Sequence, residues 1–206
     1  VPSRVSPEDV VVAFPSERAK VPMATHIRGT VIASSIAALR QHGVYDAYVE
    51  QLDRADRGPI LESVPGLWLP IATGVAHYEA CDRLRLPTTQ LIEIGGHAGT
   101  RAMRSPLGVA MKLAKEGGAT PWSMLSLSRR FWERSFRGSA IGVFRLGPKE
   151  ARVELVAWPL ARIEYNRVSL RSILQSLAAP FCTRVHVNEV AKLCTPTTCG
   201  YKVSWA

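Results

Sequence analysis

Cysteine is scarce in this chain, with four in 206 residues. Four cannot build a disulfide scaffold, and a domain of this length can bury enough apolar surface to stand without one. Long apolar runs are missing too: none reaches the roughly 20 residues a membrane helix needs. The residues after Val1 show no basic start followed by an apolar segment. A cytoplasmic protein with no membrane span is therefore expected. No C-x-x-C pair and no H-E-x-x-H spacing occur, and the glycines form neither G-x-G-x-x-G nor a Walker pattern. Nothing local thus points to a redox dithiol, a zinc protease or a phosphate-binding loop. The serines lack a nucleophile-elbow context.

What is present is an ordinary globular composition, 47% hydrophobic and 21% charged, with a formal net charge of +9. That charge is unevenly placed. Residues 1–100 carry 9 Lys/Arg against 11 Asp/Glu, and residues 101–206 carry 17 against 6. A basic second half fits a solvated surface, and equally an anionic partner such as nucleic acid or an acidic protein.

Four prolines mark residues 1–24 as an arm or linker, in which Val10 to Phe14 could add an edge strand. Residues 25–206 read as one domain. Ile32, Ile36 and Leu39 recur at helical spacing and stop at Gly43. A second helix follows through Tyr45, Val49 and Leu52, and two more cover "IATGVAHYEACDRL" and "TTQLIEIGGHAGTRAM". In the last of these, Gly95, Gly96 and Gly99 permit close helix packing. After Gly138 the period changes to alternation: a hairpin over Ile141 to Trp158, a helix over "NRVSLRSILQSLAAPFC", and a closing hairpin with strands at Arg184 to Leu193 and Gly200 to Trp205. A helical first half followed by strand-strand-helix-strand-strand predicts an α+β fold, its helices packed on a four-stranded antiparallel sheet.

"TPWSMLSLSRRFWERSFRG" predicts a single helix capped by Thr120 and ended by Gly138. Trp122, Leu125, Trp132 and Phe136 share one side of it, and Arg130, Arg134 and Arg137 another. The aromatic side is either core or the wall of an apolar pocket. The pocket reading takes Trp122, Trp132, Phe136, Trp158 and Tyr165 as lining, with His97 or Arg171 as a polar anchor. The arginine row, with Arg129, is either a solvated face or a phosphate-binding surface.

The ending of the chain resembles the superfamily that joins 4-vinyl-reductase-type ligand-binding domains, heme nitric-oxide/oxygen-binding domains and transport-protein-particle-type trafficking proteins. Residues 75–205 look most like a small family expanded in myxobacteria. Vinyl-reductase-type relatives place a glutamate, a cysteine, a glycine-bearing turn and a second cysteine before an aromatic strand, and in some these hold zinc. Glu189, Cys194, Cys199, Tyr201 and Val203 follow that order. Zinc takes four thiolate, imidazole or carboxylate ligands, so Cys182, Cys194 and Cys199 with Glu189 or His186 form a candidate set. A Cys194–Cys199 bridge and plain buried thiols stand beside it. In heme-binding relatives a tyrosine, a serine and an arginine at alternate positions grip the propionates. Ser169 and Arg171 fit that register, whereas Tyr165 comes two positions early. Iron needs an axial His, Cys, Met or Tyr, and no histidine lies between His97 and His186, so heme is not expected.

His77 and Cys81, four apart on one helix, are the only pairing that resembles a catalytic dyad. The function expected is a noncatalytic sensory or small-molecule-binding module for an apolar or aromatic ligand. The resemblance adds a homodimer. Nucleic-acid binding through Arg129, Arg130, Arg134 and Arg137 is the alternative, and a structural interaction module without ligand is a third.

Overall fold

The computed structural model describes residues 10–102 and 118–206. The first half is helical: α1 (Gly29–Gln41), α2 (Tyr45–Gln51), α3 (Arg54–Leu61), α4 (Ile71–Arg83) and α5 (Thr88–Ala102). Helix α1 buries the apolar side that its spacing predicts, with Ile32, Ile36 and Leu39 buried together, whereas α3, with Pro59 inside it, forms where the sequence predicts a turn. Among the described residues, no helix is long and apolar enough to cross a membrane.

The second half supplies the sheet. Strands β5 (Ala140–Gly147), β6 (Glu150–Val156), β7 (Val185–Glu189) and β8 (Cys199–Trp205) are the four expected, and β1 (Val10–Val12) adds a fifth at the edge. The order is β1-β5-β6-β8-β7, antiparallel throughout. The fold is α+β. Between the hairpins runs α8 (Glu164–Ala178), whose N-terminus is capped from α4: Asp82 Oδ1 accepts the Tyr165 N–H at 2.8 Å. Both faces of β6 are used. Val153 and Leu155 are core, whereas the buried Glu154 is met by Arg152 at 2.6 Å and Arg18 at 3.1 Å.

A second sheet ties the halves together, with β2 (His26–Arg28) between β3 (Trp68–Pro70) and β4 (Phe136–Arg137). This corrects the single helix expected from Thr120 to Gly138. The segment forms α6 (Pro121–Ser126), then α7 (Ser128–Ser135), and then Phe136 leaves helical geometry to pair with Ile27. Backbone pairing with a strand over a hundred residues away overrides a local helical pattern that two serines, Ser126 and Ser128, already weaken. The start is as the sequence predicts, with Pro121 in the first helical turn and Ser123 Oγ accepting the Thr120 N–H at 3.2 Å. Gly138 then turns the chain into β5 at φ +72°, its α-carbon against the Met23 carbonyl where a side chain would clash.

Helix α5 lies along α8, and the glycines are the reason. A Cβ at Gly95 would fall 2.5 Å from the Ser169 carbonyl oxygen and 2.8 Å from the Ser172 Cβ. Gly95→Ala must therefore push the helices apart. The expected loss is about 1–3 kcal/mol, read as a Tm lowered by about 2–4 °C for each kcal/mol. An unchanged Tm would mean that the contact between the two helices is loose.

Candidate functional site

Where the helical half meets the main sheet, the side chains leave a cavity of about 620 Å³. Its walls follow from helical periodicity. Ser128, Phe131, Trp132 and Ser135 come from one face of α7, and Leu170, Ile173, Leu174 and Leu177 from one face of α8. Ile141, Val153 and Leu155 form the sheet side, with Phe136, Trp158 and Met124 beside them. Thr30, Val31 and Ser34 of α1 and Ala98 and Arg101 of α5 complete it, with Thr30 and Arg101 exposed at its mouth.

Three rings make its rigid wall. Trp132 lies 4.5 Å from Phe136 and 5.2 Å from Trp158 between centroids, and Phe136 lies 5.8 Å from Trp158. Trp158 meets both other rings edge-on, while Trp132 and Phe136 are tilted to each other, and such contacts hold each ring in one orientation. Trp132 Nε1 donates to Ser139 Oγ at 3.0 Å, anchoring the turn between β4 and β5.

The structure thus places Trp132, Phe136 and Trp158 around one cavity and the other four suggested residues elsewhere. Trp122 turns away: its Nε1 donates to the Pro148 carbonyl at 2.9 Å, and its ring meets Trp205 edge-on and Arg145 face-on. The break at Leu127 rotates α6 away from the face of α7. His97 is exposed on α5, with Nδ1 2.7 Å from His42 Nε2. Tyr165 lines a separate cavity of about 340 Å³ with Cys81, Asp82, Arg85 and Glu164. Arg171 lies within α8, which is already helical at Glu164. Positions two apart on a helix face different ways, so Ser169 packs toward Gly95 while Leu170, not Arg171, reaches the main cavity. Arg101, Ser34 and Ser128 escape sequence reasoning. Their only signal is that each shares a helical face with apolar lining residues.

His77 and Cys81 sit in a buried aromatic cluster. Tyr48 Oη lies 2.6 Å from His77 Nδ1, and Cys81 Sγ lies 3.9 Å from Nε2. Burial lowers His77 to a pKa of about 3 and pushes the Cys81 thiol far above its usual range. Reactive cysteine chemistry needs thiolate and access, and this pair has neither. It is core.

The zinc set is corrected as well. Among the described residues, no group of three or more His, Cys, Asp or Glu side chains is placed to hold a metal ion. Glu189 is held by Arg167 Nε at 3.1 Å, and His186 is exposed opposite Ser204 on β7. Cys182 donates to the Ala178 carbonyl and Cys194 to the Val190 carbonyl, both at 3.5 Å. Cys199 is buried beside Tyr201 Oη at 3.6 Å, its thiol pushed up to about 12 by burial. Cys194 and Cys199 are thiols rather than a bridge.

The arginine row does not stay together. Arg129 donates to the Ala13 carbonyl. Arg130 and Arg134 are exposed on α7, while Arg137, on β4, stacks over Trp68 at 4.6 Å opposite Arg28.

No family model matches the chain, and no curated protein matches it. Solved structures do. A K. algicida H-NOX protein in its Fe(II) unliganded state aligns with a TM-score of 0.60 at 11% identity, covering 87% of this chain and 97% of that one. A variant of the T. tengcongensis H-NOX aligns at 0.56 and 11%, over 87% and 97%. A structure described as probing heme distortion in the H-NOX family aligns at 0.58 and 12%, over 87% and 95%. The chain has the H-NOX fold.

That finding corrects the exclusion of heme. Proteins described by their heme share this fold, and the missing histidine is not decisive. The buried thioether of Met124 lines the cavity, and methionine is an accepted axial ligand. Among the described lining residues Met124 is the one side chain able to ligate iron, and Arg101 is the one cation able to face a carboxylate. The residues present therefore fit the group in volume and in donor type.

Proposed function

We propose that the chain is a noncatalytic sensory module that binds one apolar or aromatic small molecule in the cavity between α1, α7, α8 and the main sheet. The cavity itself carries this reading. At about 620 Å³ it falls within the roughly 300–1,000 Å³ typical of small-molecule sites, and its lining is apolar with a few polar groups. The inert state of His77 and Cys81 supports a binding rather than a catalytic role. Heme is one occupant of the right chemistry: Met124 would hold the iron and Arg101 would face a propionate. Bound there, it would supply an iron centre for a diatomic gas. Pairing into a homodimer comes from the family resemblance alone.

Native mass spectrometry of freshly purified protein reports the adduct and the oligomeric state together. One small molecule per chain is expected, and reconstitution with hemin is expected to give a Soret band that Met124→Leu shifts. A bound ligand at a hundred times its Kd should stabilise the fold by about 2.7 kcal/mol. A protein that carries no adduct, and whose Tm neither hemin nor any apolar aromatic compound raises, would refute the proposal.

A further inference from the structure

The second sheet turns one face inward and the other to solvent. Alternation along β2 puts Ile27 inside, where it pairs with the buried Phe136, and leaves His26 and Arg28 on the outer face. Cross-strand partners share a face, so Trp68, opposite Arg28, and Arg137, opposite His26, belong to the outer face too. There the Arg28 and Arg137 guanidiniums both lie 4.6 Å from the centre of the Trp68 ring.

That arrangement gathers positive charge without neutralising it. Among the described residues, neither guanidinium meets a carboxylate or donates a hydrogen bond. Other arginines of the chain are paired: Arg18 and Arg152 with Glu154, Arg162 with Glu79, and Arg167 with Glu189. A ring face attracts the charge of a guanidinium but takes none of its N–H donors, which stay open to an acceptor. A carboxylate is the acceptor whose geometry matches that fork, and one lying between the two cations would be drawn by both.

The surroundings indicate what carries such a carboxylate. Met23, 47% exposed, and Val64 and Leu67, both 56% exposed, lie in the segments that lead into β2 and β3, and the described surface exposes few other large apolar side chains. Apolar surface beside an unneutralised cation pair fits a peptide that mixes acidic and aliphatic residues. Nucleic acid fits it poorly: a phosphate chain gains nothing from aliphatic side chains, and a ring already carrying two guanidiniums is a poor platform for a base.

We infer that the outer face of the second sheet is a docking surface for an acidic segment of another protein. Arg28 and Arg137 grip its carboxylates beside Trp68, and Met23, Val64 and Leu67 meet its aliphatic side chains. The surface is separate from the cavity yet adjoins it, since on β4 Phe136 lines the cavity and the next residue, Arg137, stands on this face.

Fluorescence anisotropy tests the inference with a short labelled peptide of alternating glutamate and leucine, read at low salt. The protein is expected to bind it about tenfold tighter than the same peptide with glutamine for glutamate, the effect of a charge-assisted hydrogen bond, and tighter than a version with serine for leucine. Arg28→Gln and Arg137→Gln should each remove most of the glutamate preference. Arg145→Gln, whose guanidinium lies over Trp122 on the main sheet, should leave it unchanged. The peptide series on the unaltered chain decides the matter by itself, whatever a substitution does to folding. No binding of the glutamate peptide, equal binding of either substituted peptide, or a preference that Arg145→Gln lowers as far as Arg137→Gln does would overturn the inference. Tighter binding of a thymidine oligonucleotide of equal charge would overturn it in favour of nucleic acid. A dimer in sedimentation that Arg137→Gln splits and the peptide does not displace would overturn it in favour of a second copy of this chain.

Discussion

Trp132→Ala is expected to lower the unfolding free energy by about 3–5 kcal/mol, the range for truncating a buried aromatic, and to abolish tight binding in the cavity. Trp132 is 7% exposed and packs on both Phe136 and Trp158. Its loss opens the wall between α7 and the sheet beside the existing cavity. The loss also strips the partner from Ser139 Oγ at a residue in the left-handed region, φ 56°. Urea unfolding measures the stability term. In the same variant, a bulky apolar compound that fills the enlarged cavity should recover part of the lost stability, which a plain core truncation with no adjoining cavity would not permit. A loss below about 1 kcal/mol would show that the wall collapses around the gap, and would count against a preformed pocket.

Acid is expected to destabilise the fold through His77. The ring is fully buried, with Tyr48 Oη at Nδ1 and the rings of Tyr48 and Tyr78 against it at 5.3 and 4.7 Å. Protonation would place an unpaired charge in that cluster, so burial holds the native pKa near 3 against 6.5 in the unfolded chain. Above pH 6.5 both states are neutral and the neutral ring's contribution is whole. Below it the unfolded chain takes up a proton that the native state refuses, and stability falls until the native ring titrates near pH 3. The span corresponds to an upper figure on the order of 5 kcal/mol. His77→Gln keeps an acceptor for Tyr48 Oη and removes the titration. Its unfolding free energy should therefore decline less steeply from pH 6.5 to pH 4 than that of the wild type. Parallel curves would mean that the carboxylates govern the acid response and that His77 does not.

Much of this architecture is legible in residue order because its causes are local. The run Ile32, Ile36, Leu39 ending at Gly43 is a helix because 3.6-residue spacing buries one side and glycine ends it, and α1 does so. Alternation across Ile141 to Trp158 predicts the β5–β6 hairpin for a similar reason. The glycines of α5 serve as close-packing positions against α8. Trp132 and Phe136 were recognisable as buried because no solvated helix presents two such rings together.

The cavity was less legible. Trp122 shares a helical face with Trp132 only while the helix is unbroken, and the chain breaks at Leu127 between α6 and α7. Arg171 and Ser169 sit at the spacing of the heme-gripping trio, yet an early start to α8 sends them to different sides. The clustering of Cys182, Cys194 and Cys199 in sequence resembles a metal site, yet among the described residues no three such side chains are placed to hold a metal ion, and Glu189 is taken by Arg167.

Sequence by itself determined α1, the two hairpins of the main sheet with the helix between them, where glycine allows helices to touch, and which large side chains leave water, since each depends on residues within a few positions of one another. Tertiary structure decided the rest. The cavity is the space left where α1, α7, α8 and the sheet meet, and its shape depends on a pairing, Ile27 with Phe136, that joins distant parts of the chain. The same long-range packing decides that His77 stays neutral and that Trp158 Nε1 and Ser128 Oγ are buried without a partner, because burial and hydrogen-bond supply are properties of surroundings that no single segment contains.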